Sequence, residues 1–220
     1  MKRITLFAGH YGSGKTNLAL NYALKLRESV SSVAIADLDI VNPYFRTKDS
    51  SAQLDKAGIK LVVSEFANSN VDFPALPKDA YSLVADKATN VVIDVGGDDR
   101  GALALGRYAP DILAENDYEM IAVINASRPL TRTPESALAV LHEIETACGI
   151  RFTGIANNTN LGLETKAEDV VASLSYAQAI SEAMKLPILF TAVMDSLLPA
   201  LQGKVKNLFP LSLQRLYYMI

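Results

Sequence analysis

Short runs of apolar residues alternate along this chain with longer stretches in which apolar residues recur every three or four positions. A short, wholly apolar run predicts a buried strand, and the three-to-four-residue period predicts an amphipathic helix. Strands are expected at 4–8, 33–36, 60–63, 91–95, 120–124, 152–156 and 187–190. Helices are expected at 15–26, 80–87, 101–113, 134–148 and from a cap at residue 165 to residue 184.

Residues that favour helix ends support two of these helices. Thr133 precedes Pro134 and is expected to cap the helix at 134–148, which Gly149 should end. Thr165 and Glu168 have the spacing of a capping box, which predicts the start of the last long helix.

Two prolines modify the helical segments near them. Pro110 is expected to break the helix at 101–113. Pro210 interrupts the final segment, 208–220, which is apolar with few charges. A membrane-binding helix would carry more basic residues on a polar face, so this segment is expected to form a last helix that packs on the core.

Strands that are apolar throughout and separated by helices predict a mostly parallel, doubly wound sheet covered on both faces. No linker or repeat divides the chain, so we expect one three-layer α/β domain over residues 1–220. In such sheets ligands bind at the carboxyl ends of the strands. The polar residues expected along that rim are 9–16, 37, 39, 94–100, 125–128, 157–160 and 191–195.

Composition narrows the possible functions. With 24 acidic and 21 basic residues the net charge is −3, which gives no support to direct binding of nucleic acid. Cys148 is the only cysteine, so no disulfide can form within the chain and a cytoplasmic location is expected. No apolar stretch is long enough to predict a membrane span.

The segment between the first predicted strand and helix matches G-x-x-x-x-G-K-[ST] at every fixed position. Glycines let backbone N–H groups approach phosphate oxygens, and the helix N-terminus adds donors and partial positive charge. Lys15 is expected to bind the β and γ phosphates, and the Thr16 hydroxyl to ligate Mg²⁺. This segment predicts the P-loop NTPase fold, with ATP and Mg²⁺ as ligands. The predicted nucleotide contacts here are Gly9, His10, Tyr11, Gly12, Ser13, Gly14, Lys15, Thr16 and Asn17.

A second group of candidate residues follows the strand at 91–95. Asp94 is expected to hold the magnesium ion, and Gly97 can offer its N–H to a γ phosphate. The segment would then respond to hydrolysis of that phosphate. Val95 occupies the position where many motor ATPases place a catalytic glutamate, and this favours a switch-type NTPase.

The third group, Asp37-Leu38-Asp39, follows the strand at 33–36. A carboxylate at this rim can face both Mg²⁺ and the attacking water. We expect Asp39 to orient the water and contribute to the metal site, with Asp37 in support.

These three groups, in this order, resemble the MinD/ParA family of P-loop ATPases, within the wider group that includes the nitrogenase iron protein, the CooC nickel-insertion ATPases and dethiobiotin synthetase. The resemblance covers most of the chain at the level of pattern. It implies that Asp39 positions the hydrolytic water. It also implies that Asn157, with Asn158 beside it, recognises adenine, and an amide has the donor and acceptor needed to do so.

The chain departs from this family at one position. The family carries a lysine directly after the first glycine, which crosses to the nucleotide of a partner subunit, and here that residue is His10. His10 could lie near the phosphates, or it could be an exposed loop residue. Arg46 and Arg100 are candidates for the missing cation.

ATP is preferred over GTP because residues 157–160, Asn-Asn-Thr-Asn, lack the lysine and aspartate typical of guanine recognition. The predicted function is a slow ATPase whose nucleotide state controls an unidentified client protein or the loading of a cofactor. A nucleotide-dependent homodimer is possible, and the loop at 42–46 is either a partner surface or a simple anchor. One alternative is a phosphotransferase similar to dethiobiotin synthetase, with Asp98, Asp99 and Arg100 as substrate groups. The other is a nucleotide-gated binding protein with little turnover.

Asp39→Ala is expected to leave ATP binding largely intact and to remove most hydrolysis. Orientation of water acts mainly in the transition state, so turnover should fall more than affinity. Titration calorimetry and a phosphate-release assay measure the two quantities. Equal losses in both would make Asp39 a magnesium or structural residue instead.

Overall fold

A computed structural model of the protein describes residues 2–38, 50–63, 78–97 and 99–213. The strands in this part of the chain are β1 (Ile4–Ala8), β2 (Val33–Asp37), β3 (Lys60–Val63), β4 (Asn90–Asp94), β5 (Tyr118–Ile124), β6 (Gly154–Asn157), β7 (Ile188–Met194) and β8 (Leu208–Leu211). The helices are α1 (Lys15–Arg27), α2 (Ser51–Ala57), α3 (Lys78–Ala85), α4 (Asp99–Gly106), α5 (Ala109–Glu115), α6 (Pro134–Cys148), α7 (Ala167–Met184) and α8 (Leu198–Leu201).

The described strands form one sheet in the order β3-β2-β4-β1-β5-β6-β7-β8. Every neighbouring pair in that order is parallel. The carboxyl ends of the strands therefore meet at one edge, as expected from the sequence. Because β1 lies between β4 and β5, the loop that follows β1 has the loops after β4 and β5 on either side.

Alternating residues of the sheet form a core on each face. On one face, Phe7 and Val92 pack against α1 and α2 through residues such as Leu18 and Leu54. On the other face, β1 and β5 pack against the helices of the later part of the chain, with Leu141 and Ile180 among the buried residues. Three layers result, which confirms the predicted α/β fold class.

Most of the predicted elements are present, and their ends differ by a few residues. The strand expected at 152–156 runs from Gly154 to Asn157, and the strand expected at 187–190 is longer, Ile188–Met194. The predicted cap of α6 is confirmed, because Thr133 Oγ1 accepts from Ser136 N at 3.3 Å and Gly149 ends the helix with φ of +72°.

The capping box predicted for the last long helix was wrong by one residue. The helix begins at Ala167, where the carboxylate of Asp169 accepts from Lys166 N at 2.9 Å. Thr165 closes the preceding turn instead. Its hydroxyl accepts from Leu161 N at 2.8 Å and donates to Gly162 O at 2.7 Å.

Two predicted helices have a different form. The helix expected at 101–113 is divided into α4 and α5, which begins with Ala109 and Pro110, because proline is favoured in a first helical turn. The last helix expected at 208–220 was wrong for its first part, since Leu208–Leu211 is strand β8. Pro210 is tolerated there because β8 is an edge strand, with only β7 beside it. Residues 214–220 lie outside the described part, and α2, with Leu54 as its one buried side chain, was not predicted.

In the described part of the chain, no helix is both long and apolar enough to cross a membrane.

A buried ion pair stabilises the edge of the sheet where the amino ends of the strands lie. The guanidinium of Arg3, just before β1, donates through Nε and Nη2 to the carboxylate of Glu115 at the end of α5. Lys87 Nζ donates to the same carboxylate. These donors lower the pKa of Glu115 to about 2, with Arg3 the main cause. The Nη atoms of Arg3 also donate to four backbone carbonyls at 2.8 to 3.4 Å, those of Leu83, Val84, Asp86 and Thr89.

Glu115→Gln should destabilise the protein at neutral pH by about 3 kcal/mol, because it leaves the buried Arg3 cation without its anion. The folded pKa of Glu115 is about 2, below the ordinary 4.5, so its stabilisation is complete above pH 4.5 and lost as the pH falls towards 2. Urea denaturation of wild type and variant between pH 2.5 and pH 7 measures the difference.

Glu28→Gln is the matched control, since Glu28 pairs with Lys25 and both side chains are 63% exposed. Its effect should be small at every pH. A Glu115→Gln difference that did not shrink in acid would show that the charge of Glu115 is not the cause.

Candidate nucleotide-binding site

The loop after β1 has the form of a phosphate-binding loop. Ser13 N donates to His10 O at 3.1 Å, which closes the turn, and Leu18 N donates to Gly14 O at 3.1 Å as α1 begins. Gly14 has φ of +88°, a left-handed conformation that favours glycine. The N–H groups that start α1 are therefore directed to the carboxyl edge of the sheet, where they can bind an anion.

Asn158, just after β6, holds this loop from one side. Its Nδ2 donates to Ser13 O at 2.7 Å, and its backbone N donates to Ile124 O at 2.8 Å. A Cβ on Gly14 would lie 2.4 Å from that Nδ2 atom, so glycine is required for this approach. Asn158 was predicted to contact nucleotide, and the structure gives its amide a role in positioning the phosphate loop.

Lys15 is only 4% exposed, and its Nζ donates to His10 O at 3.2 Å. The ammonium group of Lys15 therefore lies against the backbone of the loop between β1 and α1. A Cβ on Gly97 would lie 2.8 Å from Lys15 Nζ and 2.6 Å from Tyr11 N. The segment after β4 therefore lies directly against the phosphate loop, as a segment that responds to the terminal phosphate must.

Asp37 and Asp94 lie side by side at the ends of β2 and β4. They are paired in the parallel register, so both side chains are on the face that carries α1. They are 8% and 0% exposed, and α1, with Thr16 in its first turn, packs on both strands. In nucleotide sites Mg²⁺ is bound by a hydroxyl and one or two carboxylates, together with phosphate and water oxygens. Thr16, Asp37 and Asp94 therefore fit the ion.

His10, at the position where the MinD/ParA family carries a lysine, is half-buried in the loop. Its Nδ1 lies 2.7 Å from Tyr11 O, so Nδ1 carries the proton and donates to that carbonyl. The ring is thus held by its own loop, with Nε2 as its second polar atom. The interpretation that His10 lies near bound phosphates stays a prediction.

Asn157 is completely buried and makes hydrogen bonds at both ends of its amide. Nδ2 donates to Ser173 Oγ at 2.8 Å, and Oδ1 accepts from the Thr159 hydroxyl at 2.9 Å and from Thr159 N at 3.2 Å. In this conformation the amide stabilises the loop after β6 and joins it to α7. Recognition of adenine by Asn157 stays a prediction, and these contacts do not favour it.

The loop after β5 is a part of the site that the sequence analysis placed on the rim without giving it a role. The Arg128 side chain lies over Gly12, with Nε 3.7 Å from the position of a Cβ on that glycine. A cation that follows a strand next to β1, with Pro129 behind it to restrict the backbone, is the signal that could have found it.

Several predicted residues lie outside the described part of the chain. They are Asp39, Asp98, Arg46 and the rest of the loop at 42–46. Of Arg100, only its backbone in α4 is described. The predicted roles of these residues stay predictions.

The described geometry brings together a glycine loop with a buried lysine, a neighbouring pair of carboxylates and a second cation. Such a site can bind a chain of phosphates through backbone N–H groups and cations, and its carboxylates would hold a metal ion that neutralises phosphate charge.

Comparison with solved structures gives the same fold. The cell division protein FtsY of Thermotoga maritima matches with a TM-score of 0.61 and 18% identity, over 86% of this chain and 61% of that one. The signal recognition particle receptor FtsY of Elizabethkingia anophelis, in complex with GDP, matches with a TM-score of 0.54 and 17% identity, over 88% and 57% of the two chains.

The 54 kDa signal recognition particle protein of Aeropyrum pernix K1, in complex with GDP, has a TM-score of 0.55 and 16% identity, over 86% of this chain and 40% of that one. The chain thus spans at most 61% of the length of these three structures. No protein-family model matches the sequence, and neither does any curated protein. The likeness defines the fold as that of a P-loop NTPase, with an eight-stranded parallel sheet.

Asn157→Ala should lower the free energy of unfolding by about 1–3 kcal/mol, because Ser173 and Thr159 lose a buried hydrogen-bond partner. Thermal and urea denaturation measure this loss. Asn160→Ala, which removes a half-buried amide from the same loop, should cost less. An unchanged stability together with a reduced ratio of ATP to GTP affinity would instead make Asn157 the base-recognising residue.

Proposed function

We propose that this protein binds a magnesium–nucleoside triphosphate, ATP in the first instance, hydrolyses it slowly and uses its nucleotide state to control a partner protein or the loading of a cofactor. The phosphate loop carries the proposal: Lys15 lies buried within it, and Asp37 and Asp94 lie at the adjacent strand ends. A resemblance to the MinD/ParA family at the level of motifs supports the choice of ATP and of a switch.

Each described residue has a defined part in this proposal. The loop N–H groups and Lys15 bind the β and γ phosphates, which holds the terminal phosphate at the sheet edge. Thr16 and Asp94 hold Mg²⁺, with Asp37 beside them. When bound, the ion neutralises charge on the phosphate oxygens. Asp39 is the group proposed to orient the attacking water.

Gly97 connects hydrolysis to a change of conformation. Its backbone lies against Tyr11 and Lys15, so its N–H can bind a terminal phosphate that is present only before hydrolysis. The residue before Gly97 is packed tightly against α4, since a Cβ on Gly96 would lie 2.8 Å from the Cα of Gly101. Movement of Gly97 would therefore be transmitted to α4, which begins at Asp99.

GTP is the second candidate, because one observation weakens the case for adenine and another favours guanine. The amide of Asn157, assigned to adenine by resemblance, is buried and bonded to Ser173 and Thr159. Two of the similar structures, FtsY of Elizabethkingia anophelis and the Aeropyrum pernix protein, are complexes with GDP. Titration with the magnesium forms of non-hydrolysable ATP and GTP analogues decides between the two bases.

Lys15→Ala should abolish nucleotide binding while the protein stays folded. The lysine binds phosphate, and it donates within its own loop to the backbone of His10. Isothermal titration with a non-hydrolysable triphosphate and Mg²⁺ should show at least about a 30-fold loss, as expected when a charged contact of about 2–3 kcal/mol is removed.

The matched control is Lys25→Ala on the same helix, where the lysine side chain is 63% exposed and pairs with Glu28. It should bind as wild type does. A saturating triphosphate should also raise the melting temperature of wild type and of Lys25→Ala, because ligand that binds only the folded state stabilises it. Wild-type affinity in folded Lys15→Ala protein would rule out the phosphate assignment.

A further inference from the structure

The Arg128 side chain lies against the phosphate loop at Gly12. Its Cδ, Nε and Cζ atoms lie 3.7 to 4.0 Å from the place where a Cβ on Gly12 would stand. Gly12 has φ of +74° and no side chain, so the guanidinium can rest on the loop backbone. Asn158 and Gly97 contact other parts of the same loop, at Ser13 and at Tyr11.

The backbone that carries Arg128 is held in place. Arg128 N donates to Asn125 O at 3.3 Å, and Thr131 N donates to Arg128 O at 3.1 Å. Asn125 Oδ1 accepts from Ser127 N at 2.9 Å. Pro129 follows, and Arg128 has the extended conformation that a residue before proline favours.

A second set of contacts fixes this turn to the rest of the protein. The hydroxyl of Thr131 donates to Asn125 O at 3.1 Å, and Tyr176 of α7 donates to Thr131 O at 2.8 Å. Ala126 N donates to Thr159 Oγ1 at 3.1 Å. Arg128 is therefore presented from a rigid loop, and a preorganised donor is most effective where charge develops in a reaction.

The charge of Arg128 has no counterion among the described residues. Within those residues its Nε is buried without an acceptor, and no carboxylate lies within 4 Å of its guanidinium. Arginine stays protonated in proteins, so this cation needs an anion. Arg3 provides the contrast, because its guanidinium is satisfied by Glu115 and by backbone carbonyls. Because Arg128 lies beside a phosphate-binding loop, the anion expected next to it is a phosphate group.

We propose that Arg128 is a cation supplied within the same chain to the terminal phosphate of the bound triphosphate. In hydrolysis a water oxygen bonds to the γ phosphorus, and the bond from that phosphorus to the β–γ bridging oxygen breaks. The diphosphate leaves with the electron pair, and both protons of the water end on inorganic phosphate, which releases one of them to solvent at neutral pH. Arg128 stabilises the negative charge on the transferred group. This inference rests on the proposed nucleotide function.

The test compares Arg128→Ala with Arg128→Lys in the full chain. Arg128→Ala should bind the magnesium form of a non-hydrolysable triphosphate at least about tenfold more weakly, since a charge-assisted contact is lost. Its diphosphate affinity and melting temperature should stay near wild type. Single-turnover hydrolysis should fall about 10²- to 10³-fold. Arg128→Lys should recover part of both losses, and guanidinium ion at low millimolar concentration should partly restore turnover of Arg128→Ala.

Arg132→Ala is the matched control, because Arg132 is exposed in the same turn. It should behave as wild type in every assay. Arg128→Ala that matched this control would overturn the proposal. Equal losses of diphosphate and triphosphate affinity, with a lower melting temperature, would also overturn it and make Arg128 a structural support. Wild-type protein that bound neither nucleotide would overturn the proposed function, and this inference with it.

Discussion

The close packing of three loops at the carboxyl end of β1 is the constraint on which the rest of the site depends. The phosphate loop keeps its shape because glycine backbones leave room for its neighbours. Gly9 lies against the Val123 carbonyl, where a Cβ would be 2.3 Å from the oxygen. Gly14 leaves room for Asn158, whose amide bonds to Ser13. A side chain at either glycine would displace the anion site that the loop forms.

The position of β1 in the sheet explains why these loops meet. Strands β2, β3 and β4 lie on one side of β1, with β4 directly beside β1. Strand β5 lies directly beside β1 on the other side. A loop that follows β1 therefore has a loop from each half of the sheet next to it. Asp94 comes from one half and Arg128 from the other, so the site combines carboxylates and a cation that are distant in sequence.

The two edges of the sheet have separate roles. At the amino edge, the Arg3 guanidinium pairs with the Glu115 carboxylate and donates to backbone carbonyls, and this network stabilises the fold. At the carboxyl edge, Lys15, Asp94 and Arg128 are buried or partly buried charges around a space suited to phosphate and Mg²⁺. Buried charge is costly unless it is matched, and at the amino edge the match lies within the chain.

The sequence alone was sufficient to predict the fold class, the glycine loop between β1 and α1, and the position of Asp94 at a strand end. These features depend on local patterns, namely short apolar runs, helical periodicity and a glycine motif with a strand before it and a helix after it. The pattern did not predict β8, because an edge strand that contains Pro210 has no local signal distinct from a helix or loop. The contacts of Asn157, Asn158 and Arg128 were decided by the tertiary structure. Each depends on contacts with residues far away in the chain, and only the packing of the strands shows that one amide is buried against α7, another holds Ser13, and the guanidinium lies on Gly12.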